Sequence, residues 1–209
     1  MRGYRAIIAG GLCTLAALAA RPAAAQSMWG LRAGINFANV SGDDVGEDEF
    51  ETKTGLLAGA FVEFPIAEIV NVHLGANYSQ KGFEADLPNV DDDPDVQIDY
   101  VEIPTLLTVL VPGTDNTDIR LSVGPTWGFR VRCEGEAFGF EAGCDDDEIE
   151  SFEIGGAVGA GIAVGMGSGA AFLVDGFYNF GLTSIDAGAD DADVKNEVFS
   201  ISAGVMFPF

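Results

Sequence analysis

The chain has 209 residues, with 10 basic against 33 acidic side chains and a formal net charge of −23. Its length fits one domain. Its charge excludes nucleic acid as a partner, because phosphate binding needs a basic surface.

Residues 1–25 read as a secretory signal. Arg2 and Arg5 form a positive start, residues 6–20 (AIIAGGLCTLAALAA) an apolar stretch, and RPAAAQS supplies small residues before a cut after Ala25. The apolar run is short for a spanning helix. The residues before Cys13, GGL, lack the usual lipoprotein order. Removal of this segment takes Cys13, Arg2, Arg5 and Arg21 with it. The mature chain, one domain over 26–209, then carries 7 basic against 33 acidic residues, a net charge of −26. Two cysteines remain, Cys133 and Cys144, 11 positions apart in one acidic segment. An even pair in an exported chain predicts a disulfide.

Beyond the signal there is no helical period. What recurs is alternation of period 2, the strand signature. Eight such segments are predicted. The first, 28–40, sets Leu31, Ala33, Ile35 and Phe37 against Arg32, Gly34 and Asn36. The second, 54–64, sets Leu56, Ala58, Ala60, Val62 and Phe64 against Gly59 and Glu63. The third, 71–81, sets Val72, Leu74, Ala76 and Tyr78 against His73, Asn77, Ser79 and Lys81. The fourth, 97–111, sets Val101, Ile103, Leu107 and Val109 against Glu102 and Thr108. The fifth, 119–132, sets Leu121, Val123, Trp127, Phe129 and Val131 against Arg120, Ser122, Arg130 and Arg132. The sixth, 151–164, sets Ile154, Val158, Ala160 and Ile162 against Glu153, Gly155, Gly159 and Gly161. The seventh, 171–183, sets Phe172, Val174, Tyr178, Phe180 and Leu182 against Asp175, Asn179 and Gly181. The eighth, 197–209, ends the chain with Phe199, Ile201, Ala203, Val205, Phe207 and Phe209 on one face.

The connections alternate in length. Residues 65–70, 112–118 and 165–169 are short turns, whereas 41–53, 82–96, 133–150 and 184–195 are long and hold 24 of the 33 acidic residues. Short turns at one end and long loops at the other predict an all-β fold, an eight-stranded antiparallel up-and-down transmembrane β-barrel of the outer-membrane type. Charge decides which face is inside. Five of the seven mature cations (Arg32, Lys81, Arg120, Arg130, Arg132) share the minor face with Glu63, Glu102, Glu153 and Asp175. A near-balanced set in so acidic a chain suits charges paired in a narrow lumen. The uncharged aromatic face suits lipid.

These stretches resemble a known family. GLRAGINFANVSGDD, KTGLLAGAFVEFP, NYSQKG, DYVEIPTLL, SVGPTWGF, GFYNFGLTSI and the final strand are similar, in order and over the whole mature chain, to PorT-like outer-membrane β-barrels. YSQKG followed by YVEIP is the most specific part. The resemblance implies an eight-stranded barrel in the bacterial outer membrane, of a kind often called only "porin family". Some members take part in a protein secretion system, and most have no assigned role. One departure stands out. Where the family often has Asp-x-Arg-Tyr-Asn, this chain has Asp175, Gly176, Phe177, Tyr178 and Asn179. The cation at 177 is gone, so Asp175 needs another partner.

No catalytic set, cofactor motif or metal centre is expected. The single histidine, His73, falls near the turn end and reads as a hydrogen-bonding lumen residue. DDDPD at 91–95 and DDDE at 145–148 lack calcium-loop spacing and read as solvated acid, able to hold divalent ions weakly against lipopolysaccharide. An eight-stranded interior is just wide enough for side chains to fill, so a plugged lumen with Leu173 and Phe177 inward is expected. The role expected is structural or surface-interacting. A narrow cation channel and a secretion accessory are the alternatives. Expected partners are outer-membrane lipid, lipopolysaccharide and the assembly machinery, with the barrel a monomer. Phe199, Phe207 and Phe209 resemble the C-terminal assembly signal. Pro208 is tolerable only where its missing N–H faces away from a ladder partner.

Overall fold

The computed structural model describes residues 26–41, 50–85, 95–114, 116–137, 140–143, 150–185 and 194–209. The signal segment 1–25, Cys144, and the DDDPD and DDDE runs, apart from Asp95, lie outside the described residues. All eight alternating segments form strands: β1 (Met28–Ser41), β2 (Lys53–Ala67), β3 (Val70–Ala85), β4 (Asp95–Thr114), β5 (Thr117–Ala137), β6 (Phe152–Gly167), β7 (Ala170–Gly181) and β8 (Lys195–Pro208). Two short pieces extend the loop end, with Phe50–Glu51 on β3 and Phe140–Gly143 on β5. Each long strand pairs antiparallel with the next. β1 then pairs with β8 from Met28 opposite Pro208 to Ser41 opposite Lys195, closing the barrel. Among the described residues, closure gives each of the eight long strands a partner on both sides.

The β6–β7 connection shows why its sequence is GMGSG. Gly167, Ser168 and Gly169 take positive φ angles of 90°, 49° and 80°. Glycine adopts this region freely, and two of the three are glycine. Asn116, in the β4–β5 turn, donates from Nδ2 to the Gly165 carbonyl at 2.6 Å, tying adjacent turns together.

The alternation resolves as the charge argument requires. Leu31, Ile35, Leu56, Leu107, Leu121, Val123, Val158, Ile162 and Ile201 lie exposed on the outer face. Arg32, Glu63, Lys81, Glu102, Arg120, Glu153 and Asp175 are buried inside. Aromatic pairs mark both ends of the outer belt. Trp29 packs on Phe207 with ring centroids 5.2 Å apart at the turn end. Phe129 on Phe152 (5.1 Å) and Phe37 on Phe199 (6.3 Å) do so toward the loops.

Arg132 departs from expectation. Its side chain is 54% exposed and is not a lumen residue. The cause is a bulge. Asp99 pairs with Arg132 but Tyr100 with Arg130, so Val131 is an extra residue on β5. One inserted residue exchanges the faces beyond it. Arg132 then pairs Glu134 (Nε to Oε1, 2.7 Å) and approaches Asp99 (3.9 Å), which accepts from Tyr78 Oη at 2.6 Å. Cys133, opposite Ile98, turns to the interior in exchange. Arg130 is half-buried, level with inward Tyr100.

Pro208 meets its condition. Phe209 N–H donates to Ser27 C=O at 3.0 Å, so the next pair, Met28 with Pro208, is the non-hydrogen-bonded kind. The proline nitrogen therefore faces the β7 side, where pairing ends at Met206 opposite Ala171.

Candidate functional site

Among the described residues, the lumen is where the strands bring most of their buried polar chemistry together, and it is layered. Successive inward residues on one strand occupy successive layers. From the turn end, β7 contributes Leu173, Asp175 and Phe177, and β3 contributes His73, Asn77 and Lys81.

The first layer is apolar: Phe61, Ala163 and Leu173, with Met206 packed against them. Below it a recess of about 340 Å³ opens among the turns, lined in part by Asn116, Asp118 and Ala171.

The second layer is ionic and centres on Glu63, only 1% exposed. Its carboxylate accepts from both terminal nitrogens of Arg120, from His73 Nδ1 at 2.9 Å and from Asn71 Nδ2 at 3.2 Å. Arg120 Nε also stands 3.5 Å from Asp175 Oδ1, which supplies the partner that Asp175 needs in place of a cation at 177. Arg32 Nη2 lies 2.6 Å from His73 Nε2. A guanidinium can only donate. Nε2 therefore accepts, and the imidazole is the neutral tautomer with its proton on Nδ1, held by Glu63. Two arginines thus balance two carboxylates here. The room comes partly from Gly161, where a Cβ would stand 2.0 Å from Asp175 Oδ1.

The third layer holds Leu106, Ala157 and Phe177. Arg32 lies over the Phe61 and Phe177 rings, 5.3 and 5.7 Å from their centroids, so the phenylalanine at 177 carries a cation instead of being one. Beside it lies a cavity of about 20 Å³, lined in part by Arg32, Asn36, Asn77 and Glu102.

The fourth layer is ionic again. Lys81 Nζ bonds Glu102 at 2.8 Å and Glu153 at 3.2 Å, and rests 4.7 Å from the centre of the Tyr100 ring. Asn196 Nδ2 donates to Glu153 at 2.8 Å. The fifth layer closes the loop end with Val40, Ile98, Tyr100 and Ile185, joined by Phe83, Val96, Cys133 and Val194.

The structure therefore gathers seven of the nine predicted lumen charges into two networks. It turns Arg132 out and leaves Arg130 at the upper rim. Sequence reasoning missed buried Lys53, Tyr100 and Asn196. The signal was parity: Lys53 shares it with Glu63, and Tyr100 with Glu102. Phe199 and Phe207 face outward as expected, and Phe209 is 70% exposed beyond the strand end.

A sequence profile described as the outer membrane protein beta-barrel domain matches residues 23–187. The chain belongs to that family. The barrel therefore sits in the bacterial outer membrane. Among the described residues, no helix is long and apolar enough to cross a membrane. Among solved structures, Neisserial surface protein A aligns over 87% of this chain and 97% of its own, at 12% identity and TM-score 0.51. OprG from Pseudomonas aeruginosa aligns over 88% and 97%, at 13% identity and TM-score 0.49. Ail, the attachment invasion locus protein of Yersinia pestis, aligns over 88% and 100%, at 14% identity and TM-score 0.46. Likeness of this degree concerns the fold alone. No curated protein matches the chain in sequence. In an outer-membrane barrel with an even strand number, both termini and the short turns lie at the periplasmic end, and the long loops face outward.

Proposed function

We propose that this outer-membrane barrel is a non-conducting, non-enzymatic anchor that presents acidic loops at the cell surface. The observation that carries this is the lumen itself: apolar layers at both ends, two ionic layers, and a mid-lumen cavity of only about 20 Å³. A single water needs about 10–15 Å³ on the same measure, so a cavity of this size argues against an ion path. His73, the single histidine, is engaged on both ring nitrogens and offers no base to a substrate. In planar bilayers the purified protein should give no single-channel steps at high protein load. Steps that are cation-selective would establish the channel reading instead.

The loops then carry the partners. Their carboxylates would repel lipopolysaccharide phosphates, so weakly held divalent ions are proposed to bridge the two. A Cys133–Cys144 disulfide is proposed to pin the loop after β5; intact mass before and after reduction should differ by two hydrogens. YSQKG and YVEIP favour the PorT-like branch of the family. Affinity capture from native outer membranes should return the monomer. Capture of a stoichiometric envelope complex would favour the secretion-accessory role.

A further inference from the structure

We propose that the mid-lumen cavity binds one water molecule, which accepts a hydrogen bond from Arg32 Nε–H and donates one to Asn77 Oδ1. Three observations converge there. First, both groups are more than nine-tenths buried, with Arg32 8% and Asn77 6% exposed, and neither atom has a hydrogen-bond partner within the protein. A buried polar atom without a partner is costly, so two such atoms on residues that line one cavity favour a ligand that serves both. Second, the two residues lie in one lateral row across the sheet. Arg32 pairs with Gly59, and Gly59 pairs with Asn77. Gly59 between them has no side chain, and a Cβ there would stand 2.3 Å from Asn77 Oδ1. The glycine is what leaves room between the arginine and the amide. Third, the cavity of about 20 Å³ suits one water, for which about 10–15 Å³ on the same measure is enough.

The chemistry selects the ligand. Arg32 Nε offers only a proton, and Asn77 Oδ1 offers only lone pairs. A halide satisfies the first and not the second, and it would face Glu102, which lines the same cavity. A cation satisfies the second and is repelled by Arg32. Water alone does both. Bound there, it links the His73–Arg32 pair to Asn77. Asn77 lies directly opposite Glu102, a member of the Lys81 network. The water would thus extend the Arg32 network to the row that holds Glu102.

Diffraction from crystals of the full mature chain, with and without bromide, tests this. The expected result is one density peak within hydrogen-bond reach of both atoms, with no anomalous bromide signal. A bromide signal would make the site anionic and overturn the proposal. So would a dry cavity, or a direct Arg32–Asn77 bond. Asn77→Leu removes the acceptor; in the folded variant the peak should vanish, and its persistence would show that Asn77 does not hold it. Gly59→Ala should close the site in the same way. Should either variant fail to fold, the wild-type density decides.

Discussion

Glu63 shows how one side chain can organise a barrel interior. It accepts from Arg120, His73 and Asn71, and through His73 it fixes the imidazole proton that makes Nε2 an acceptor for Arg32. Glu63→Gln keeps the shape and removes the charge. Arg120 would then rely on Asp175 at 3.5 Å, and the arginines would outnumber the carboxylates in that layer. Breaking a buried pair from one side costs about 3–5 kcal/mol. The folded barrel should therefore unfold at lower urea in detergent, read as loss of the fast-migrating unboiled band on a gel. An unchanged midpoint would show that the layer is not cooperative. Arg132→Gln is the matched comparison. Its side chain is 54% exposed, and its ion pair with Glu134 is shared with solvent, so its midpoint should stay with the wild type.

At the scale of the strand, the sequence shows faces well and breaks in them poorly. Parity placed Arg32, Glu63, Lys81, Glu102, Arg120, Glu153 and Asp175 inside, because alternation and charge agree along most of each strand. It failed past Val131, because a bulge depends on how two strands register against each other and leaves no mark in either one alone. The partners of Asn36 and Asn196 were equally illegible, since Ser79 and Glu153 lie on strands not adjacent to their own. Strand β8 makes the opposite case. Its striping and its terminal aromatic were readable from the first, and the structure adds that Phe207 packs on Trp29 across the seam that closes the barrel. Phe209 lies past the last pair and is 70% exposed, so it contributes little packing. Deleting Phe209 should lower the amount of barrel assembled in the outer membrane while the assembled fraction unfolds at the wild-type midpoint. Cell fractionation followed by the same gel assay measures both. Normal assembly of the truncated chain would remove Phe209 from the assembly signal.

At the scale of the whole molecule, the fold inverts the usual order of a soluble protein. Paired charge fills the interior and aliphatic side chains face outward, which is stable only with hydrocarbon around it. The outer face of β5 tests this within one strand. Ile119, Leu121, Val123, Phe129 and Val131 are exposed in sequence from the turn end toward the loops. Val123 lies near the middle of that run and Val131 at its outer end, eight residues further on, about 26 Å along the strand at 3.3 Å per residue. An arginine at the bilayer midplane of such a barrel costs about 2–4 kcal/mol, falling to about 0–1 kcal/mol near the interface. Val123→Arg should thus lose about 2–4 kcal/mol of folding free energy in lipid vesicles, and Val131→Arg about 1 kcal/mol or less. Both residues are more than half exposed, so a soluble barrel would tolerate either change equally. The difference between the two variants, more than the cost of either, locates the hydrocarbon. Equal costs would put the belt elsewhere on β5, and no cost at both would mean that this face meets water.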